Sequence, residues 1–127
     1  MTVLSFVKLS GLAAIVALSA TLNLTSSAQA EGAYGADTCR AGFVWREAFV
    51  DDTACVTPGE RSMARRQNQK ANLRRNPSGG AYGPDTCRNG YVWRDATEGD
   101  HVCVTPRERD QAAQQNAEAP ARFENAS

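Results

Sequence analysis

An internal repeat covers most of this chain. Residues Ala33–Ala71 align with Ala81–Ala119 without a gap, and 23 of the 39 aligned pairs are identical. A match of this extent indicates duplication, so the sequence predicts two copies of one structural unit. We place the first copy at residues 33–75 and the second copy at residues 81–119, and "NPSGG" (76–80) between them is typical of a turn-rich linker.

The four cysteines all lie in the repeat, two in each copy and at the same spacing. Four cysteines permit three pairings. Pairing within each copy is favoured, because duplication of a self-contained unit preserves its own bridge, and it joins Cys39 to Cys55 and Cys87 to Cys103. Units below about 40 residues rarely bury enough apolar surface alone. A bridge that stabilises each copy by roughly 3 kcal/mol is therefore expected.

The local pattern of each copy predicts a hairpin and then a helix. In the second copy "GYVWRDA" and "HVCVT" have strand composition, and "TEGD" between them is a turn signal. "TPRE" (105–108) then predicts a helix start with a capping box, as does "TPGE" (57–60) in the first copy.

The fold class predicted is a small disulfide-stabilised α+β protein of two tandem units. Each unit is a β-hairpin with one disulfide, followed by a polar helix. The helices carry little apolar stripe. We expect them to dock loosely, through Met63, Ala64, Ala112 or Ala113, and we expect a disordered tail at residues 120–127.

The first thirty residues resemble a secretory signal peptide. One basic residue, Lys8, precedes the mostly apolar run "GLAAIVALSATLNL", and "AQA" at Ala28–Ala30 suits a signal peptidase. The alternative is a transmembrane helix, which needs roughly 20 apolar residues. Polar residues at 19, 21 and 23 interrupt this run. The sequence therefore predicts a mature chain from Glu31, secreted or periplasmic, with no membrane span after processing.

The net charge of the chain argues against strongly anionic partners. The chain has 14 basic and 14 acidic residues, and loss of Lys8 with the signal peptide leaves 13 against 14, a net charge near −1. A general attraction to nucleic acid or to an anionic membrane is not indicated. Basic residues are concentrated in the middle of the chain: Arg61, Arg65, Arg66, Lys70, Arg74 and Arg75. We interpret them as part of a solvated helix and linker. The alternative is a basic patch that binds an anionic surface.

Metal, cofactor and catalytic chemistry have weak support. The residues His101, Cys103, Asp100 and Cys87 occur in one copy, but the first copy has Thr53 in the position of His101, and no CxxC pair exists. The chain has one histidine and no nucleophile elbow. The turn acids of the second copy are most often solvated: Asp95, Glu98 and Asp100. We predict no catalytic residue, no metal site and no cofactor.

Aromatic residues are the better functional candidates. They are Tyr34, Phe43, Trp45, Tyr82, Tyr91 and Trp93. In one interpretation the tryptophans pack against the disulfides and form the core. In the other they are exposed and stack against a sugar ring or a partner chain. Arg46 and Arg94 follow the tryptophans and so point to the other strand face. They could bind an acid there, but arginine at such a position is more often a surface residue. The candidate binding residues are thus Trp45, Trp93, Arg46 and Arg94.

The stretch "GPDTCRNGYVWRDATEGDHVCVTPRER" resembles a short Cys-paired module that recurs, often in tandem, in secreted bacterial proteins. Its pattern is similar to G-P-D-T-C-x-x-G-[FY]-V-W-R-E-A-x-x-G-D-x-V-C-V-T-P-x-x-R. The second copy departs from it with Asp95, and the first with Ala36 and Asp51. The resemblance covers nearly all of the mature chain and implies no catalytic residue, because the module has no established activity.

The leading functional hypothesis is a secreted or periplasmic, non-enzymatic binding or interaction module. Its partner is unknown, and a cell-wall polymer or another secreted protein would suit two like units, which gain avidity on a repetitive target. A structural or stress-linked envelope protein without a dedicated ligand is the alternative. A small secreted enzyme is the third hypothesis.

Overall fold

The computed structural model describes residues 32–126. Contacts divide the chain into Met1–Gly35 and Ala36–Ser127. In the first part, the described residues 32–35 form a turn in which the Gly35 N–H donates to the Gly32 carbonyl (3.1 Å). The predicted signal peptide (1–30) and the cleavage before Glu31 lie outside the described residues. All strands and helices described below belong to the second part.

Each copy contains the predicted hairpin. In the first copy β1 (Val44–Trp45) pairs antiparallel with β2 (Cys55–Val56), and in the second copy β3 (Val92–Trp93) pairs with β4 (Cys103–Val104). The two registers are equivalent: Val44 opposite Val56 and Trp45 opposite Cys55, then Val92 opposite Val104 and Trp93 opposite Cys103. The strands are two residues long. Hairpins this short need support from other parts of the chain.

Both predicted disulfides are present. Cys39 is bonded to Cys55 and Cys87 to Cys103, with Cα–Cα distances of 5.7 and 5.6 Å. Each bridge ties the segment before a hairpin to the second strand of that hairpin. The prediction of two disulfide-stapled hairpins, each followed by a helix, is therefore confirmed.

The two helices begin at the predicted capping boxes. Helix α1 spans Pro58–Arg74 and helix α2 spans Pro106–Glu118. At the start of α1 the Glu60 N–H donates to the Thr57 hydroxyl (3.2 Å), and the Thr57 N–H donates to the Glu60 carboxylate (2.8 Å). Thr105 and Glu108 make the same reciprocal bonds at the start of α2. Both helix starts thus follow from local sequence.

The helices connect the two copies. Helix α1 packs chiefly against β4 of the second copy, and a 3-10 helix that follows α2, Ala119–Arg122, packs against β2 of the first copy. Of the predicted docking residues, Ala64 and Ala112 are buried, Met63 is half-buried and Ala113 is exposed. The copies therefore form one interlocked structure in which each hairpin lies against chain from the other copy.

Backbone hydrogen bonds close this structure at both ends. After α1, residues 74–76 pair with residues 86–88, with the Arg88 N–H donating to the Arg74 carbonyl (2.8 Å). After α2, residues 122–124 pair with residues 38–40 in the same way, and the Arg40 N–H donates to the Arg122 carbonyl (2.8 Å).

The expected disordered tail at residues 120–127 is therefore wrong for residues 120–126, the part that the structure describes. Arg122 is the equivalent of Arg74, 48 positions later. It contacts the carboxylates of Glu60 and Glu118, as Arg74 contacts Glu108. The repeat extends through this segment although Arg74/Arg122 is the one identical pair between residues 72–78 and 120–126, and backbone pairing with the first copy orders the segment.

The linker is a tight turn that needs glycine. The Gly80 N–H donates to the Gly83 carbonyl (3.2 Å), and the Gly83 N–H donates back to the Gly80 carbonyl (3.0 Å). A Cβ on Gly80 would lie 2.7 Å from Cγ2 of Thr86, so a larger residue at this position would displace Thr86. Within residues 32–126, no helix has the length and apolar character needed to cross a bilayer.

Candidate functional site

Arg46 and Arg94 are buried, with side chains only 2% and 1% exposed. In each copy the guanidinium forms a bidentate pair with a buried carboxylate, Asp52 or Asp100. The Nε–Oδ2 distance is 2.7 Å and the Nη2–Oδ1 distance is 3.0 Å in both. The interpretation of these two arginines as surface residues is therefore wrong. A pair with this geometry supplies directional hydrogen bonds as well as charge neutralisation.

Each buried arginine also contacts the helix of the other copy. Nη1 of Arg94 donates to Oδ1 of Asn68 (3.0 Å) and to Oε1 of Gln67 (3.3 Å), both on α1. Nη1 of Arg46 donates to Oε1 of Gln115 on α2 (3.3 Å). These donors are used inside the protein, so the two arginines hold the copies together and are poor candidates for ligand binding.

Strand alternation explains this placement. Trp45 and Cys55 lie opposite each other and share one face of the hairpin, so Arg46 faces the other side. The sequence correctly indicated opposite faces. It did not indicate which face the partner helix covers, because α1 and α2 carry no apolar stripe that would have predicted their docking.

The tryptophans are half-buried. Their indole N–H groups donate to backbone carbonyls, of Asp37 for Trp45 and of Asp85 for Trp93, at 2.8 Å in both copies. The buried apolar core consists instead of small residues and half of each disulfide: Ala48, Cys55, Val56, Ala64, Ala71, Ala96, Cys103, Val104, Ala112 and Ala119. Each indole is therefore fixed in orientation but keeps surface that a ligand can contact.

The ring of Trp93 has two aromatic neighbours. The His101 ring stacks on it with 3.7 Å between centroids and a 20° interplanar angle, and Tyr82 is tilted against it at 5.4 Å. Nδ1 of His101 lies 3.0 Å from Oδ2 of Asp85. In residues 32–126 no group of three or more His, Cys, Asp or Glu side chains is arranged to hold a metal ion.

A groove of about 300 Å³ opens beside this cluster on the second copy. We call it the aromatic groove, and its lining is Tyr82, Thr86, Cys87, Tyr91, Val92, Trp93, Asp95 and Arg109. Its size lies at the lower end of the range for small-molecule sites, about 300–1,000 Å³. It combines three aromatic rings with an acid and a base, the composition expected of a site for a small amphipathic ligand.

Two of the residues that line the groove, Asp95 and Arg109, form an ion pair. Nη2 of Arg109 lies 3.2 Å from Oδ2 of Asp95, and both side chains are about half exposed. In the first copy Arg61 forms the equivalent pair with Glu47. Sequence reasoning missed both pairs because it treated Asp95 as a solvated turn acid. A sequence pattern shared by both copies could have indicated the pairs: an acid directly follows the buried arginine, and a second arginine lies 14 residues after that acid.

The acids of these pairs have an unusual backbone conformation. Glu47 has φ 53° and Asp95 has φ 52°, both in the left-handed region. That region costs an L-residue roughly 1–2 kcal/mol, whereas an exposed ion pair returns only about 0.2–1 kcal/mol. For Glu47 the ion pair alone therefore does not offset the backbone cost, whereas aspartate, as at position 95, is one of the residues that enter this region through a local hydrogen bond.

Two other depressions are less suited to a ligand. One of about 690 Å³ lies over the linker and is lined mainly by glycine, proline and asparagine. Another of about 340 Å³ lies where Ala96 and Thr97 approach Phe49 and Phe123. Its charged lining includes Arg46, whose donors are already used. Neither combines an aromatic cluster with an accessible acid and base.

Comparison of the chain with family models, curated proteins and solved structures gives no match. The candidate site therefore rests on its own geometry.

Proposed function

We propose that this protein is a secreted or periplasmic, non-enzymatic binding module, and that the aromatic groove is its ligand-binding surface. The observation that supports this proposal is the combination, in one groove, of Tyr82, Tyr91 and Trp93 with the Asp95–Arg109 pair. Two disulfides suit an extracellular or periplasmic protein. The resemblance to a tandem Cys-paired module of secreted bacterial proteins agrees with that compartment.

The duplication favours a repetitive ligand. Within residues 36–127 the first copy has matching residue types at the aligned positions: Phe43, Trp45, Glu47 and Arg61. Two weak sites on one chain bind a repeating polymer more tightly than either site alone, because the second binding event is intramolecular. A cell-wall polymer is the partner that fits this arrangement best.

Retention on insoluble peptidoglycan tests the proposal. The informative variant is Tyr82→Ala, because Tyr82 is 71% exposed and its loss should leave folding intact. Val50→Ala is the matched control, since Val50 is 86% exposed and lies outside the groove lining. We expect wild type and Val50→Ala to be retained and Tyr82→Ala to be retained at least tenfold less.

Equal retention of Tyr82→Ala and Val50→Ala would remove the aromatic groove from the proposal. If wild type is not retained on peptidoglycan or on any insoluble polysaccharide, the structural envelope protein without a dedicated ligand becomes the better hypothesis. Circular dichroism of each variant confirms that a change in retention does not come from unfolding.

A further inference from the structure

We propose that the acid–arginine pairs, Asp95–Arg109 and Glu47–Arg61, are hydrogen-bonding groups for neutral sugar rings. This inference rests on the proposed function and adds the ligand class and the residues that select it. The aromatic rings of the groove would stack on the apolar face of a pyranose. The ion pair that lines the groove would then contact the hydroxyl groups of the sugar.

The pair offers the chemistry that a sugar edge requires. A carboxylate only accepts hydrogen bonds and a guanidinium only donates them. Neighbouring hydroxyl groups of a sugar do both, so one hydroxyl can donate to Asp95 while the next accepts from Arg109. Both side chains line the groove, lie 3.2 Å apart at their closest atoms and remain about half exposed.

The charge of the groove favours a neutral ligand. Arg109 is paired with Asp95, and Arg74, which lies 4.9 Å above the Tyr91 ring, is paired with Glu108 at 2.7 Å. Each of these cations next to the groove already has a carboxylate partner. An anionic ligand would have to compete with those carboxylates, whereas a neutral ring can bind without separating them.

The left-handed backbone of both acids supports a binding role. Glycine is the residue that this conformation favours most, followed by asparagine and aspartate, so the glutamate of the first copy is the unexpected residue. Both copies have an acid there, glutamate in one and aspartate in the other, and each is paired with the arginine 14 residues later. Two copies that differ at 16 of 39 aligned positions have kept the charge and not the easier backbone residue.

The test uses Asp95→Asn in the full chain, with soluble tetrasaccharides of glucose and of N-acetylglucosamine as probes in titration calorimetry. Asparagine keeps the size of aspartate and suits the left-handed backbone, so thermal stability should be unchanged or higher. For whichever of the two tetrasaccharides wild type binds, the affinity of Asp95→Asn should be at least tenfold lower. This is the factor expected for loss of a charge-assisted hydrogen bond. Glu98→Gln, an exposed acid outside the groove lining, is the control and should bind as wild type does.

The outcomes separate this inference from the proposed function. If Asp95→Asn binds as wild type does while Tyr82→Ala does not, the acid–arginine pair is not a binding group but the groove is. If wild type is retained on peptidoglycan but binds neither tetrasaccharide, the ligand class is wrong and the binding module stands. Binding of a proline-rich peptide or of an anionic glycan in place of the tetrasaccharides would also show that the ligand is not a neutral sugar. If wild type binds no polymer at all, both proposals fall.

Discussion

At the level of single residues, the two buried arginines determine how the molecule is assembled. Asp100 accepts two bonds from Arg94 and one from the Ala96 N–H, and Asp52 is surrounded in the same way in the first copy. A buried ion pair is not strongly stabilising compared with an apolar pair of the same size, because both charges lose their hydration. Removal of one partner is costly, since it leaves the other charge buried and unpaired.

We therefore expect Arg94→Ala to lower the free energy of unfolding by about 3–5 kcal/mol. Urea denaturation followed by circular dichroism measures this loss. Arg107→Ala, at an exposed position at the start of α2, should change the free energy by less than about 0.5 kcal/mol. An Arg94→Ala protein as stable as the Arg107→Ala control would show that the buried pair does not hold the copies together.

The double variant Arg94→Met/Asp100→Leu distinguishes the cost of leaving one buried charge unpaired from the cost of losing the whole ion pair. Both charges are removed together and replaced by apolar groups of similar volume, so we expect it to be much closer in stability to wild type than either single variant. The same denaturation experiment measures it. A double variant that loses as much as the sum of the two single losses would contradict this account, because the residues would then act independently.

The sequence predicted residue-level features that depend on local spacing. The two disulfides and the opposite orientation of Trp93 and Arg94 are of this kind. It did not predict the burial of Arg94, because burial depends on Gln67 and Asn68, which are 27 and 26 residues away. A charged residue next to a tryptophan carries no signal that a polar helix from another copy will cover it.

At the level of elements, the capping boxes explain where the two polar helices begin. Thr105 and Glu108 satisfy each other's backbone N–H groups at 3.0 and 3.2 Å, and Thr57 and Glu60 do the same. Neither helix has an apolar stripe, so its start depends more than usual on local bonds.

We expect Thr105→Ala to lower the free energy of unfolding by about 1 kcal/mol, within the range of about 0.5–2 kcal/mol for loss of such a cap. Thr57→Ala is the matched variant in the other copy and should cost a similar amount. Thermal denaturation compares the two, with Thr97→Ser, at an exposed turn position, as the control. No loss in either threonine variant would mean that docking and not capping fixes the helix starts.

The hairpins and helices were predictable because their signals are local. Strand composition, turn residues and the Thr-Pro-x-Glu start are all contained in fewer than ten residues. The 3-10 helix Ala119–Arg122 and the pairing of residues 122–124 with residues 38–40 were not predictable in this way. Residues 119–124 (APARFE) have little identity with the first copy and are ordered by Thr38 and Arg40, more than eighty residues earlier.

At the level of the whole molecule, the two copies form a closed pair. Residues 74–76 lead into the second copy through nine residues, 77–85. Residues 122–124 pair with residues 38–40 in the equivalent way, but there the chain is not continuous. A link from residue 127 to residue 31 would supply ten residues, 125–127 and 31–37, between the equivalent segments.

A circular permutant is therefore expected to fold. Its chain begins at Ser78, runs to Ser127, continues at Glu31 and ends at Pro77. Because the new ends lie in an exposed turn, we expect native circular dichroism and a melting temperature within about 8 °C of wild type, equivalent to roughly 1 kcal/mol. A permutant with the same join but cut between Val56 and Thr57, inside the core, is the control and should not fold. Failure of both permutants would contradict the closed arrangement.

Hydrogen exchange in the Asp100→Ala variant tests the interlocked structure most directly. The amides of Arg46 and Arg94 each donate across their own hairpin at 2.8 Å, one in each copy. If the copies unfold as one unit, loss of Asp100 should lower the protection of both amides by the same factor, roughly a hundredfold or more. If the Arg94 amide loses protection while the Arg46 amide keeps its wild-type value, the copies are independent and the interlocked structure is wrong.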